Sequence, residues 1–124
     1  MRLKLPLPLE YETHVSVADA LRLAIVPGWL WTHFPAGEKR DVRTAARLKR
    51  MGLNRGFADF LLIDPSGLHH WLELKRGKAS LTSDQEAFGE AMMERGVPYA
   101  VARSFEDAVD QLHVWRALRP EVIL

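Results

Sequence analysis

The stretch GFADFLLIDPSGLHHWLELKRG, residues 56–77, decides the fold of this chain. Phe60-Leu61-Leu62-Ile63 is a short apolar run of the kind that forms a buried strand. Asp64-Pro65-Ser66-Gly67 follows it as a turn: proline presets the backbone angle of the first turn position, and glycine closes the turn. His70 to Lys75 then reads as the returning strand. Side chains alternate between the two faces of a strand, so Glu73 and Lys75, two residues apart, point the same way. A tight hairpin brings Asp59, at the opening of the first strand, across from Glu73 to within about one residue of register. Two carboxylates and an ammonium then share one patch of one sheet face.

That patch suits the hydrolysis of a phosphodiester. Magnesium prefers hard oxygen ligands and is commonly held by one or two carboxylates, with water and substrate phosphate completing its shell. Asp59 and Glu73 are the candidate carboxylate ligands, and the main-chain carbonyl of Leu74 is a further one. A metal so placed polarises the scissile phosphate and lowers the pKa of a bound water. Lys75 is positioned to orient or deprotonate that water, or to neutralise the charge that builds on the phosphorane. Glu-x-Lys alone is a common triplet; its weight comes from lying on a strand that follows Gly56-Phe57-Ala58-Asp59 and precedes Leu81-Thr82-Ser83-Asp84-Gln85, which opens a helix.

Outward from the hairpin, Ser83-Asp84-Gln85-Glu86 reads as a capping box, with Ser83 capping and Glu86 reaching back, ahead of a helix to about Arg95 that Gly96 stops. Tyr99 to Ala102 is a short strand, and Ser104 caps a last helix whose Ala108, Leu112 and Trp115 share a face. The segment 70–102 is therefore a strand-helix-strand crossover, which predicts two parallel strands joined by a right-handed connection. Upstream, Val17 to Ile25 has helical spacing with Thr13 or Ser16 as cap, and Pro27-Gly28 ends it. Trp29 to His33 is a strand, Pro35-Ala36-Gly37 a loop, and Thr44 to Met51 a short helix ending at Gly52. The order helix, strand, helix, strand, strand, helix, strand, helix predicts an α/β domain, a small mixed sheet flanked by helices, over residues 1–124.

The bulk composition fits this. A chain of 124 residues, 48% hydrophobic and 27% charged, makes one globular domain that needs no staple. It contains no cysteine, which excludes disulfides, thiolate metal sites and a cysteine nucleophile and suits a reducing cytoplasm. No apolar run approaches the roughly 20 residues of a membrane span. The net charge of +1 hides an asymmetry. Between residues 39 and 55 stand Lys39, Arg40, Arg43, Arg47, Lys49, Arg50 and Arg55, with Asp41 the only acid, so this stretch carries +6 and the remainder −5. Arg43, Arg47 and Arg50 fall on one helix face. Such a stretch is either a solvated charged helix or a surface for an anionic partner, most simply a phosphate backbone.

Taken together, HFPAGEKR (33–40), RLKRMGLNRGFADFLLI (47–63), WLELKRG (71–77), LTSDQEAF (81–88) and GVPYAVARSFEDAVDQL (96–112) resemble the VRR-NUC branch of the PD-(D/E)XK nucleases, over most of the chain from about Glu12 to Trp115. The resemblance implies a restriction-endonuclease-like fold, metal binding by Asp59 and Glu73, catalysis by Lys75 and an active-site role for Gln85. It also implies a metal-facing glutamate in the first helix, followed four residues later by glutamine; Glu12 fits the first slot with Ser16 in the second, and Glu10 is a rival. Ala58 fills a slot where the family usually has proline, and Ala36 one where it has asparagine after His-x-Pro. Stand-alone members, from phages and bacteria, act as homodimers on branched DNA such as Holliday junctions. The expectation for this chain is accordingly a magnesium-dependent endonuclease, with manganese as substitute, acting as a homodimer on branched DNA in the cytoplasm of a bacterial or phage-infected cell. Lys39, Arg40, Arg43, Arg47, Arg50, Arg55, Arg76 and Lys78 are the expected phosphate contacts.

Other features have blander readings. His69 and His70, adjacent on a strand, point to opposite faces and read as solvated turn residues. Trp29, Trp31, Trp71 and Trp115 read as core. Gln85 is either an active-site residue or a glutamine that helps the cap, and His33 either contacts DNA or closes a loop. The terminal Trp115, Leu118, Val122, Ile123 and Leu124 cover the domain's own core or meet a partner. The rival to a nuclease is a non-catalytic DNA-binding module of the same fold, and a structural or partner-binding protein is a third reading.

Overall fold

The computed structural model describes residues 9–34 and 41–122. Eight elements follow in the expected order: α1 (Leu9–Ala24), β1 (Leu30–His33), α2 (Val42–Arg50), β2 (Phe60–Ile63), β3 (His69–Leu74), α3 (Ser83–Glu94), β4 (Tyr99–Ala102) and α4 (Phe105–Val114). The strands form one sheet in the order β1-β2-β3-β4. β1 and β2 are antiparallel, β2 and β3 form the predicted antiparallel hairpin, and β3 and β4 are parallel across the α3 crossover. The hairpin turn is locked by the side chain of Asp64, whose Oδ1 accepts from the Ser66 amide at 2.8 Å and the Leu68 amide at 3.0 Å.

Strand alternation sorts the sheet into two faces. Phe60, Leu62, Leu72 and Leu74 pack with Val17 and Leu21 of α1 and with Ala108 and Leu112 of α4. On the other face Ala58 and Trp71 pack with Phe88 of α3, with Leu61, Met92 and Tyr99 beside them. β3 is covered on both faces, so every residue after His69 is buried, the near-continuous apolar pattern of a central strand. The four tryptophans are core, as expected: Trp71 is buried, and Trp29, Trp31 and Trp115 are half-buried against the first cluster.

Several local expectations need correction. The first helix starts at Leu9, so Thr13 and Ser16 lie within it and cap nothing. α3 is capped by Thr82, not Ser83, and its capping-box partner is Gln85, not Glu86. His70 is not a solvated turn residue: it is buried, its ring 4.9 Å from that of Trp29 and 5.1 Å from that of Trp115. Burial holds its pKa below the ordinary histidine value. The C-terminal segment covers the chain's own core: Leu118 is buried and bridges to Ile25, and Trp115 and Val122 pack on the same cluster. Ile123, Leu124 and the loop Pro35-Ala36-Gly37 lie outside the described residues. Among the described residues, no helix is long and apolar enough to cross a membrane.

Candidate active site

Asp59 immediately precedes β2, and the pairing Phe60↔Leu72, extended one step, sets it opposite Glu73. The ladder does not end abruptly there. The backbone carbonyl of Asp59 accepts from the Phe34 amide at 2.8 Å, and its side-chain Oδ2 accepts from the Leu74 amide at 2.7 Å. Asp59 is thus held from both sides, through its backbone by the residue after β1 and through its carboxylate by the end of β3. Within one strand residue the N–H and C=O point to the same side. The Leu74 carbonyl therefore faces the Asp59 edge of β3, while the neighbouring Lys75 amide turns to β4 and donates to Ala102 at 2.9 Å.

Glu73 and Lys75 project from the face of β3 that α3 covers, the same face as Trp71. Gln85, in the first turn of α3, is the bridge between them. Its Nε2 donates to Glu73 Oε1 at 2.9 Å, and its Oε1 accepts from Lys75 Nζ at 3.0 Å. The same Oε1 accepts from the Thr82 amide at 2.9 Å, and Thr82 Oγ1 accepts in turn from the Gln85 amide at 3.2 Å. The two readings of this glutamine are therefore not alternatives: it closes the capping box and joins the site with one side chain.

The electrostatics are those of a carboxylate pair removed from water. Glu73 is only 3% exposed. Burial, then the adjoining charge and hydrogen bond of Asp59, push its pKa up to about 9; Lys75 pulls the other way. Asp59 is also raised, chiefly by burial, with the Leu74 amide and Glu73 opposing. Without a cation, burial and the adjoining Asp59 carboxylate favour the protonated form of Glu73 at neutral pH. Glu73 Oε2 is buried with no hydrogen-bond partner among the described residues. A buried, unpartnered carboxylate oxygen beside a second carboxylate is a donor set that a hard divalent cation satisfies, with the Leu74 carbonyl alongside. Among the described residues no three His, Cys, Asp or Glu side chains converge.

The first helix differs from expectation. Glu10 and Glu12 are both exposed, but they lie about 200° apart round α1 at 3.6 residues per turn. Glu12 and Ser16 share the outer face; Glu10 and His14, four apart, share the inner phase of Val17 and Leu21. Glu10 lines a cleft of about 270 Å³ with Leu74, Lys75 and Arg76, and its charge adds to the upward pressure on Glu73. The His14 ring packs 4.4 Å from that of Phe60 and 5.1 Å from that of His33. The signal was available in the sequence: the spacing of Val17 and Leu21, continued backwards, passes through His14 and Glu10, but a helix started at Val17 hides it.

Arg43, Arg47 and Arg50 are exposed on α2, and Arg55, Arg76 and Lys78 are exposed in the loops that follow α2 and β3. The only salt bridge among the described residues is Arg22–Asp19, so none of these cations is neutralised there by a carboxylate. Arg76 and Lys78 sit in a loop tied down by Arg103, whose Nη1 donates to the carbonyls of Gly77 at 2.9 Å and Ala79 at 2.6 Å. Sequence reading missed Arg103, an isolated cation whose task is visible only across the fold. Lys39 and Arg40 lie outside the described residues.

No protein-family model matches the chain, and no curated protein matches it. Solved structures do. One named "VRR_NUC domain protein" superposes with a TM-score of 0.72 at 21% identity, covering 92% of this chain and 93% of that one. Another, named "VRR_NUC domain", gives a TM-score of 0.59 at 20% identity, covering 85% of this chain and 94% of that one. The chain has the fold of these domains, as the sequence resemblance led us to expect.

Proposed function

We propose that this chain is a nuclease of the VRR-NUC type, a magnesium-dependent endonuclease that hydrolyses phosphodiester bonds in DNA, with branched DNA such as a Holliday junction as substrate. One observation carries the reading: a buried Glu73 with an orphaned Oε2, opposite the half-buried Asp59 and beside an ammonium that Gln85 holds in place. A binding module has no reason to cluster two carboxylates, one of them buried, against its own polyanionic ligand. Asp59 and Glu73, with the Leu74 carbonyl, are the groups that would hold Mg2+ or Mn2+. The ion, when bound, supplies Lewis acidity toward the phosphate and acidifies a water. Lys75 orients the attacking water, or takes its proton, and offsets charge on the phosphorane. Gln85 fixes the Lys75 ammonium relative to Glu73 through two hydrogen bonds. The cations of α2, with Arg55, Arg76 and Lys78, hold the phosphate backbone, and Lys39 and Arg40 extend that stretch in sequence.

The test is cleavage of end-labelled four-way junction, flap, linear duplex and single strand by the purified chain with Mg2+, with Mn2+ and with chelator. Metal-dependent internal cleavage, strongest on branched DNA, is the expected outcome. Metal-independent binding with no cleavage of any substrate would establish the DNA-binding module instead.

A further inference from the structure

Two glycines of the loop between α2 and β2 adopt left-handed angles, for different reasons. Gly52 has φ +105° and open space where a side chain would stand. Gly56 has φ +93°, and a Cβ built on it would overlap the carbonyl oxygen of Asp84 and lie 2.6 Å from the Asp84 carbonyl carbon. Both Asp84 atoms are backbone, so no rotamer change relieves the overlap. Asp84 sits in the first turn of α3, and the next residue is Gln85, the bridge between Glu73 and Lys75.

We propose that Gly56 is a positioning residue of the reaction centre: by lacking a side chain it lets the loop before Asp59 rest on the backbone of Asp84, and this contact sets the distance from the carboxylate pair to Gln85. The inference rests on the nuclease reading above. Gly56 stands three residues before Asp59, so one short segment carries a metal-ligand carboxylate at one end and seats α3 at the other. The capping box of Thr82 and Gln85 makes the first turn of α3 rigid, so a push on Asp84 moves Gln85 with it. Restoring ordinary contact past a methyl group requires the two backbones to part by roughly an ångström, and a misplacement of about 1 Å in a catalytic group is worth about 10²-fold in rate. The 2.9 and 3.0 Å bonds of Gln85 to Glu73 and Lys75 do not survive such a shift unchanged.

Gly52 supplies the control, since Gly52→Ala introduces left-handed strain in the same loop without touching α3. Gly56→Ala should lower kcat on the preferred DNA by about 10²-fold relative to Gly52→Ala, with KM for DNA changed less than about twofold. In a Gln85→Ala background the Gly56→Ala effect should shrink to about twofold or less, because the group it displaces is already gone. Gly56→Asn, which tolerates the left-handed region better, carries the same comparison if the alanine variant folds poorly. Gly56→Ala within a few-fold of Gly52→Ala, or full multiplication of its effect with that of Gln85→Ala, would overturn the proposal. So would failure of both Gly56 variants to fold while Gly52→Ala folds, since that places the contact in the fold and not in the site. A readout independent of turnover separates this from the nuclease reading: in 1H–15N spectra of the metal-free protein, the Gln85 side-chain amide should shift in Gly56→Ala and stay in place in Gly52→Ala. If the unaltered chain cuts no DNA, the nuclease reading fails, and these spectra alone decide whether Gly56 seats Gln85.

Discussion

Lys75 and Glu73 are two residues apart, yet they contribute in opposite senses to folding and to chemistry. Lys75 makes one side-chain bond, to Gln85, and its loss costs the fold little. Its proposed work is in the transition state, so Lys75→Ala should reduce cleavage by about 10² to 10⁴-fold while DNA binding is retained. Single-turnover cleavage and an equilibrium binding titration of the same variant check both halves; cleavage within a few-fold of the parent would remove Lys75 from the mechanism. Glu73 is the reverse case. Its pKa, about 9 in the folded chain against an ordinary 4.5, means that the folded state keeps a proton the unfolded state releases. The stability this contributes is fully present below about 4.5 and is lost as pH rises through about 9. In chelator, Tm should therefore fall between pH 5 and pH 9, and Glu73→Gln should flatten that fall while abolishing cleavage. Added Mg2+ should stabilise the parent more at the alkaline end, where the carboxylates are ionised. Calorimetry across that range decides the matter; a chelated parent whose Tm is flat or rises, just as the glutamine variant's does, contradicts the protonated pair.

α2 is unlike the other helices. None of its residues is buried, and its last turn carries Arg47, Lys49 and Arg50. A nine-residue helix has little intrinsic stability in water and ordinarily relies on packing. Here the N-cap does part of that work: Asp41 Oδ1 accepts from the Thr44 amide at 2.8 Å, and Oδ2 from the Thr44 hydroxyl at 3.0 Å. The basic last turn complements the helix dipole. Charge that is exposed and unpaired on such a helix is available to phosphate. Neutralising Arg43, Arg47 and Arg50 together should weaken DNA binding without regard to sequence, lowering the slope of log K against log salt by about 0.9 per lost contact on duplex. An unchanged slope in the triple variant means that this face is solvated and nothing more. α3 teaches a different lesson. Thr82-Ser83-Asp84-Gln85 and Ser83-Asp84-Gln85-Glu86 both carry helix-start chemistry, and the sequence does not choose between them. The fold makes Thr82 the cap, and Gln85, its capping-box partner, reaches Glu73 and Lys75 with the same side chain.

The described residues hold one such carboxylate pair, whereas resolving a four-way junction takes two cuts related by approximate two-fold symmetry. Two copies about a two-fold axis supply them, and two-fold dimers are the commonest oligomers. The proposed functional unit is accordingly a homodimer. Since Leu118, Trp115 and Val122 are spent on the chain's own core, the interface must be sought elsewhere. Leu30, on the edge strand β1, is 67% exposed and offers one such place. Sedimentation at micromolar concentration should give twice the monomer mass, and junction should be cut faster than linear duplex of matched sequence. A monomer that cuts both equally well removes the dimer and the branched substrate and leaves the metal-dependent chemistry standing.

The hairpin, the crossover and the meeting of Asp59 with Glu73 and Lys75 were legible in the sequence because each rests on local rules. Strand alternation, turn chemistry and the parity of a two-residue spacing need no knowledge of distant neighbours. The resemblance to a known family rested on the same motifs. What the tertiary structure decided are matters of phase and of contact across the chain. Whether Glu10 or Glu12 approaches the site depends on where α1 starts, and two positions on a helix rotate a side chain to the far side. Whether His70 is wet or buried depends on Trp29 and Trp115, some forty residues away on either side. That Gln85 serves cap and site together, that Arg103 ties down the loop bearing Arg76 and Lys78, and that Gly56 bears on Asp84 all join segments about 10 to 30 residues apart. Local propensity carries no term for such contacts; they exist only once burial of the two sheet faces has brought the segments together.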